Sequence, residues 1–117
     1  MKDNIIVNKS FDFAVKTVRI YQKLTLEKRE FVLSKQLLKS GTSIGANIEE
    51  AVGGFSRKDF IAKLQIAYKE SKETKYWLRL LHATDYLDKA EFESLLADTE
   101  EILKILVSIL RTSKNDS

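Results

Sequence analysis

The sequence predicts an all-α protein: an antiparallel, up-down-up-down four-helix bundle that takes residues 1–117 as a single domain. Three observations carry that expectation. Apolar residues recur at helical spacing over long windows. Proline is absent and glycine occurs four times in 117 residues, too few of the turn residues that a many-stranded sandwich or barrel needs. Capping patterns and a Gly-Gly pair then cut the chain into helical pieces joined by short links, and short links make neighbouring helices antiparallel. A chain of this length buries roughly two-thirds of its unfolded surface, so a hydrophobic core suffices without metal or disulfide.

The first helix is expected over about 10–24, with Ser10 as its N-cap. The second begins near Thr25 or Glu27 and spans 27–52, stopped by Gly53-Gly54, the strongest break in the chain. The third spans 57–82 and opens on Ser56-Arg57-Lys58-Asp59, a capping-box-like start with an acid in the first turn. After the link ATDYL, Asp88-Lys89-Ala90-Glu91 opens the fourth helix, 89–113, and Lys114–Ser117 is expected to fray. A helix of 25 residues is about 38 Å long.

Each helix offers an apolar face. On the second, Leu33, Leu37, Ile44, Ile48 and Ala51 align. On the fourth, Phe92, Leu95, Leu96, Ile102, Leu103, Leu106 and Leu110 do so, with Ile105 and Ile109 at the edge. The first gives a narrower stripe, Phe11, Ala14, Val18 and Tyr21, leaving Phe13, Ile20 and Leu24 off-face.

The third helix has three sectors. Phe60, Leu64, Ala67, Thr74, Leu78 and Leu81 form its core stripe. A second apolar sector, more than 100° away, holds Ala62, Ile66, Trp77 and Leu80. It either marks a protein–protein contact, with Ile66, Trp77 and Leu80 as interface candidates, or widens the core where helices splay. The third sector holds Lys58, Gln65, Lys69, Lys72, Tyr76 and Arg79. Its cations, with Tyr76 among them, are candidates for binding RNA or DNA weakly and without sequence preference. Lysines there meet phosphates as point charges, and a tyrosine stacks on an unpaired base. A solvated helix face explains the same residues.

Within the second helix, SGTSIGANIEEA (40–51) sets Gly41 and Gly45 four apart. Each costs about 1 kcal/mol relative to alanine in a helix, a cost offset where a neighbouring backbone comes close. Ser40 and Asn47 fall on the apolar face and are expected to be hydrogen-bonded inside the bundle or at an interface. The run lacks the lysine and glycine spacing of a phosphate-binding loop.

Catalytic constellations are missing. With no cysteine and His82 as the lone histidine, there is no thiolate zinc site, cysteine nucleophile or histidine cluster. Glu49, Glu50, Glu70 and Glu73 lack the Glu-x-x-His pairs of a ferritin-type di-metal centre. The expectation is therefore a non-enzyme without cofactor. No apolar run approaches the ~20 residues of a membrane span, and the start MKDNIIVNKS does not read as a signal peptide; a cytoplasmic location is expected.

Charge is uneven. Residues 1–24 carry five basic and two acidic groups and 55–87 carry seven and four, +3 each; 25–54 balance, and 88–117 carry four and seven, −3. The first and third helices thus offer basic surfaces and the fourth an acidic one, which suits weak polyanion binding or charge complementarity between subunits.

The stretch QLLKSGTSIGANIEEAVGGFSRKDFIAKLQIAYKESKETKYWLRLL, residues 36–81, resembles the signature of the 23S rRNA intervening-sequence proteins. It combines a small-residue SGTSIGANI run, a basic-acid-Phe helix start, a KL-x-IA-x-KE segment and an ET-x-YWL-x-LL end. FDFAVKTVRIYQKL before it and DKAEFESLL after it fit as well. The chain is also similar to the accessory variability proteins of diversity-generating retroelements. These resemblances imply a homopentameric ring of antiparallel bundles with no enzymatic activity. In the retroelement relatives the ring is basic and works with nucleic acid and a reverse transcriptase, so a nucleic-acid enzyme is an implied partner. Two function classes follow: a nucleic-acid-binding accessory module, or a protein-interaction scaffold without a nucleic-acid role.

Overall fold

A computed structural model describes residues 2–115, and side chains over 5–113. Four helices make it up: α1 (Lys2–Leu26), α2 (Leu33–Val52), α3 (Arg57–Ala83) and α4 (Lys89–Asn115), with no strand among the described residues. They form a rod of 47 × 21 × 20 Å. Paired residues give the directions. Ser10 and Thr17 of α1 meet Gly45 and Gly41 of α2. Ser40 and Glu50 of α2 meet Thr74 and Lys63 of α3. Arg57 and His82 of α3 meet Ser113 and Phe92 of α4. Lys9, Lys16 and Lys23 of α1 meet Glu101, Asp98 and Glu91 of α4. In every pair one helix counts up as the other counts down, so all four seams are antiparallel.

The core is a column of aliphatic side chains: Leu37, Ile44 and Ile48 from α2, Leu64, Leu78 and Leu81 from α3, and Leu95, Ile102 and Leu106 from α4. α2 and α3 present the faces their periodicity predicts, with Phe60, Phe92 and Leu110 packed half-buried at the core's margin; on α4 the face is rotated, since Ile109, expected at the edge, is buried and Leu103, expected inside, is half-buried outside the core. Hydroxyls fill the gaps. Ser10, Thr17, Ser34, Ser71 and Thr99 are fully buried, and each bonds a carbonyl one turn back in its own chain. Such a hydroxyl leaves no orphaned polar atom and behaves as a small core residue.

That device corrects the reading of α1. Ser10 is no N-cap: it lies buried in mid-helix, and α1 starts at Lys2. The inward stripe is Ile6, Ser10, Phe13, Thr17 and Leu24. Phe11 and Val18, expected inside, are exposed, while Ala14 and Tyr21 are half-buried. A search for apolar spacing passes over a stripe with two hydroxyls in it.

The start of α2 needs a second correction. Residues 27–32 form a loop, and the helix begins at Leu33. Arg29 there adopts a left-handed conformation, φ 55°, uncommon for a side-chain-bearing residue. Glu30 then caps α2: its carboxylate accepts N–H bonds from Val32, Leu33 and Ser34 at 3.1, 3.0 and 2.7 Å. Burial alone would raise its pKa, but the backbone donors outweigh it and hold the carboxyl below the usual range.

The other ends follow the expected chemistry. Ser56 Oγ accepts the Asp59 N–H at 3.0 Å to start α3. Asp88 and Glu91 exchange reciprocal bonds, 2.7 and 3.0 Å, to start α4, the two halves of a capping box. Gly54 lets the chain turn back after α2, since a Cβ there would lie 3.2 Å from the Ala51 carbonyl oxygen. In the link to α4, Asp85 takes φ 69°, and His82 stacks on Phe92 with ring centroids 4.3 Å apart while its Nδ1 sits 3.0 Å from the Leu87 oxygen. Of the expected frayed tail, Lys114 and Asn115 continue α4; residues 116 and 117 lie outside the described residues.

Candidate functional site

The outer face of α3 carries the cations singled out from the sequence. Lys58, Lys69, Lys72, Tyr76 and Arg79 are all exposed, on the side opposite the Leu64–Ala67–Leu78 core stripe. From Lys69 to Arg79 the row is about 15 Å long. Tyr76 is held edge-on against Trp77, centroids 5.1 Å apart and planes at 76°. Among the described residues, none of Lys58, Lys69, Lys72 and Arg79 forms an ion pair or a side-chain hydrogen bond.

α1, whose segment carries the same net charge, differs. Lys9 reaches Glu101 at 2.7 Å, Lys16 reaches Asp98 at 2.5 Å and Ser94 at 2.8 Å, and Lys23 reaches Glu91 at 2.5 Å. Hydrogen bonds to these carboxylates raise the pKa of Lys9 and Lys23. The spacing of seven residues returns each lysine to the same edge of its helix after two turns. Glu91, Asp98 and Glu101 of α4 are thus matched to α1 inside one protomer, and of the α3 cations Lys63 pairs with Glu50 and Arg57 reaches Ser113 while Lys58, Lys69, Lys72 and Arg79 are exposed.

The second apolar sector of α3 is only partly open. Ile66 is 41% exposed, whereas Trp77 and Leu80 are half-buried. Trp77 packs against the core and its indole N–H lies 3.3 Å from Glu73 Oε1, so the tryptophan expected outside is partly built into the protomer. Glu70 beside this seam has its pKa raised, first by burial and then by Glu73.

Two apolar surfaces were missed in the sequence. One is the outer ridge of α1, where Phe11 is 59% exposed and Val15 and Val18 37% and 38%. Phe11 and Val18 are the two residues of it that the sequence reading places in the core stripe; Val15 carries no assignment there. The other is a groove between α3 and α4, two adjoining cavities of about 400 and 280 Å³ over Tyr68, Leu103, Val107 and Leu110, bordered by Lys72, Lys104 and Arg111.

The small residues of α2 close the seam with α1. A Cβ on Gly41 would lie 2.8 Å from Thr17 Cγ2, and one on Gly45 3.3 Å from the Ser10 carbonyl oxygen. Ser40 is buried and hydrogen-bonded to Thr74 at 3.0 Å across the α2–α3 seam. Asn47 is half-buried and donates to the Ser43 carbonyl of its own helix at 2.8 Å. Among the described residues, no three acidic or histidine side chains gather to hold a metal ion, and no helix is long and apolar enough to cross a membrane.

Comparison with known proteins gives this arrangement a family. The crystal structure of a protein of unknown function from the S23 ribosomal protein family of Bacteroides thetaiotaomicron VPI-5482 is 54% identical. It superposes with a TM-score of 0.93 over 95% of this chain and 99% of that one. No curated protein matches significantly. The model of the 23S rRNA-intervening sequence protein family matches residues 2–108, nearly the whole bundle, and the chain belongs to that family.

Proposed function

We propose that this protein is a non-enzymatic, self-associating bundle in the cytoplasm that offers the outer face of α3 to nucleic-acid backbone, weakly and without sequence preference. One observation carries the reading: of two helical segments with equal net charge, α1 spends its lysines on α4 and α3 leaves Lys58, Lys69, Lys72 and Arg79 unpaired. Unpaired lysines bind phosphates by releasing counterions, and Tyr76 among them offers a stacking face. One protomer supplies few such contacts. Affinity comes from repetition in an oligomer, where linked sites raise the effective concentration. The likeness to retroelement accessory proteins supports a ring of five and a nucleic-acid enzyme as a further partner.

The test is binding to structured RNA and duplex DNA across a salt series, for the wild type and for Lys69→Ala/Lys72→Ala/Arg79→Ala. Binding that weakens steeply with salt and is lost in the triple variant is expected. Absence of binding at low salt, or indifference to both changes, refutes the reading.

A second reading, an interaction scaffold without nucleic acid, is favoured by the exposed Phe11, Val15, Val18 and Ile66. Contiguous apolar surface marks protein contacts. A stable oligomer with no salt-dependent nucleic-acid binding would select it.

A further inference from the structure

We infer, resting on the nucleic-acid reading proposed above, that the groove between α3 and α4 takes unpaired bases. The protein then selects single strands over duplex, and the groove is the surface that selects.

The groove is apolar at its floor and cationic at both rims. Leu103, Val107 and Leu110 of α4 line the floor, half-buried, and Tyr68 of α3 is a wall common to its two cavities. Tyr68 also packs against the core, which holds its ring in place as a stacking face. Lys72 stands on the α3 rim, and Lys104 and Arg111 on the α4 rim, all three exposed. Among the described residues these three cations form no ion pair and no side-chain hydrogen bond. From Lys104 to Arg111 is seven residues, about 10.5 Å of helix.

The acids of this edge lie to one side. Glu100 and Glu93, both exposed, stand at i−4 and i−11 from Lys104, toward the start of α4. The helices are antiparallel, so those acids run along the part of α3 from Lys72 to Arg79, which also carries Lys75. Beside Tyr68 the groove is lined by three cations and no acid, and Lys69 is exposed next to it. A polyanion is the complement of such a rim.

An apolar floor between cationic rims fits one strand and not two. A duplex hides its bases and turns phosphates outward, so it meets lysines but cannot fill the floor. A single strand turns its bases down onto Tyr68 and Val107 while its phosphates reach the rims, the arrangement of a stacking platform in a basic groove. The exposed row of α3 by itself demands the opposite order, because a duplex releases more counterions per phosphate than a single strand does. Preference for the single strand is therefore a signature of the groove and not of charge.

The experiment is fluorescence anisotropy at low salt with a labelled oligothymidylate of about 20 nucleotides and a duplex carrying the same number of phosphates. The single strand is expected to bind about tenfold more tightly or better, as stacking one base allows. Tyr68→Leu keeps the apolar bulk and removes the ring. It is expected to weaken the single strand about tenfold and leave the duplex unchanged. Lys104→Ala/Arg111→Ala is expected to weaken the single strand more than the duplex and to make its salt dependence shallower.

A duplex bound as tightly as the single strand overturns this assignment and leaves the proposed function standing; no binding of either overturns both. A single-strand preference that survives both variants, or that is lost in Tyr76→Ala instead, also overturns it and places the stacking on the outer face of α3. Should Tyr68→Leu disturb the fold, seen by circular dichroism, the exposed Lys104→Ala/Arg111→Ala variant decides, and unchanged single-strand binding overturns the groove. A fall of oligomeric mass in either variant, by light scattering, overturns it as well, assigning the groove to a second copy.

Discussion

Helices α1 and α3 stand at diagonal corners of the bundle, and the segments that hold them each carry a net charge of +3. They differ in what they leave outside. α3 turns Leu64, Ala67, Leu78 and Leu81 inward together with Ser71 and Thr74, and leaves Lys58, Lys69 and Lys72 in water. α1 turns two hydroxyls inward with Ile6, Phe13 and Leu24, commits three lysines to α4, and leaves phenylalanine and valine outside. Net charge and apolar content therefore do not decide what a helix offers to a partner. The facing edge decides: both helices pack on α2 and α4, but the edge of α4 that carries Glu91, Asp98 and Glu101 is the one that meets α1.

The largest test of this contrast lies within α1. Phe13 is buried and Phe11, two residues away, is mostly exposed. Phe13→Ala is expected to cost about 3–5 kcal/mol, the range for emptying a packed aromatic site. Phe11→Ala should stay within about 0.5 kcal/mol in the protomer, as surface changes do. Urea midpoints with unchanged m-values decide it, and equal losses would mean that the inward face of α1 is misassigned.

Next is the seam that lets α1 carry hydroxyls inside. A methyl at Gly41 meets both γ atoms of Thr17, at 2.8 and 2.9 Å. Rotation of Thr17 therefore does not clear it, and the helices must separate. Overpacking of this kind costs about 1–3 kcal/mol, against a propensity gain near 1 kcal/mol for leaving glycine. Gly41→Ala should lose a net of up to about 2 kcal/mol. In a Thr17→Ala background the same change should be neutral or stabilising, a coupling that a double-mutant cycle measures.

The ends of the helices sharpen the comparison further. α3 starts on a neutral Ser56 cap, whereas the chain leaving α1 starts α2 on the carboxylate of Glu30. Both caps should be worth about 1 kcal/mol at neutral pH, but only one titrates. The folded-state pKa of Glu30 is depressed, so its contribution is complete above its ordinary value near 4.5 and is lost as pH falls through the lower folded value. The stability gap between wild type and Glu30→Gln should close on acidification, and that between wild type and Ser56→Ala should not.

These sites also mark where the sequence was legible. The core faces of α2, α3 and α4 were readable because their large buried side chains are leucine and isoleucine at helical spacing, and the starts of α3 and α4 because serine and aspartate caps have a local signature. The family signature was readable as well. Gly41 and Gly45 could be read as sites of close approach because glycine in a helix is costly without one. The inner face of α1 was hidden by Ser10 and Thr17, whose apolar character exists only once they bond their own helix. The 27–32 loop was hidden because it uses neither glycine nor proline: Arg29 makes the turn and a glutamate three residues ahead of Leu33 makes the cap. Nor did charge counts reveal that Lys9, Lys16 and Lys23 would find α4, because pairing depends on which helix becomes the neighbour.

The smallest expected effect is also the most direct comparison of the two sets of cations. Lys16 bonds Asp98 and Ser94 at the surface, and exposed pairs of this kind contribute under about 1 kcal/mol. Lys16→Ala should lower stability by no more than that. The loss should shrink in 1 M salt, where the screening length falls to about 3 Å, and leave nucleic-acid binding nearly unchanged. Lys72→Ala should behave in reverse, with no loss of stability beyond about 0.5 kcal/mol and a shallower salt dependence of binding, since one fewer counterion is released per site. If Lys16→Ala instead weakens binding as much as Lys72→Ala does, the ion pairs of α1 open in solution. The two helices would then offer their charge alike, and the difference drawn between them would be one of packing alone.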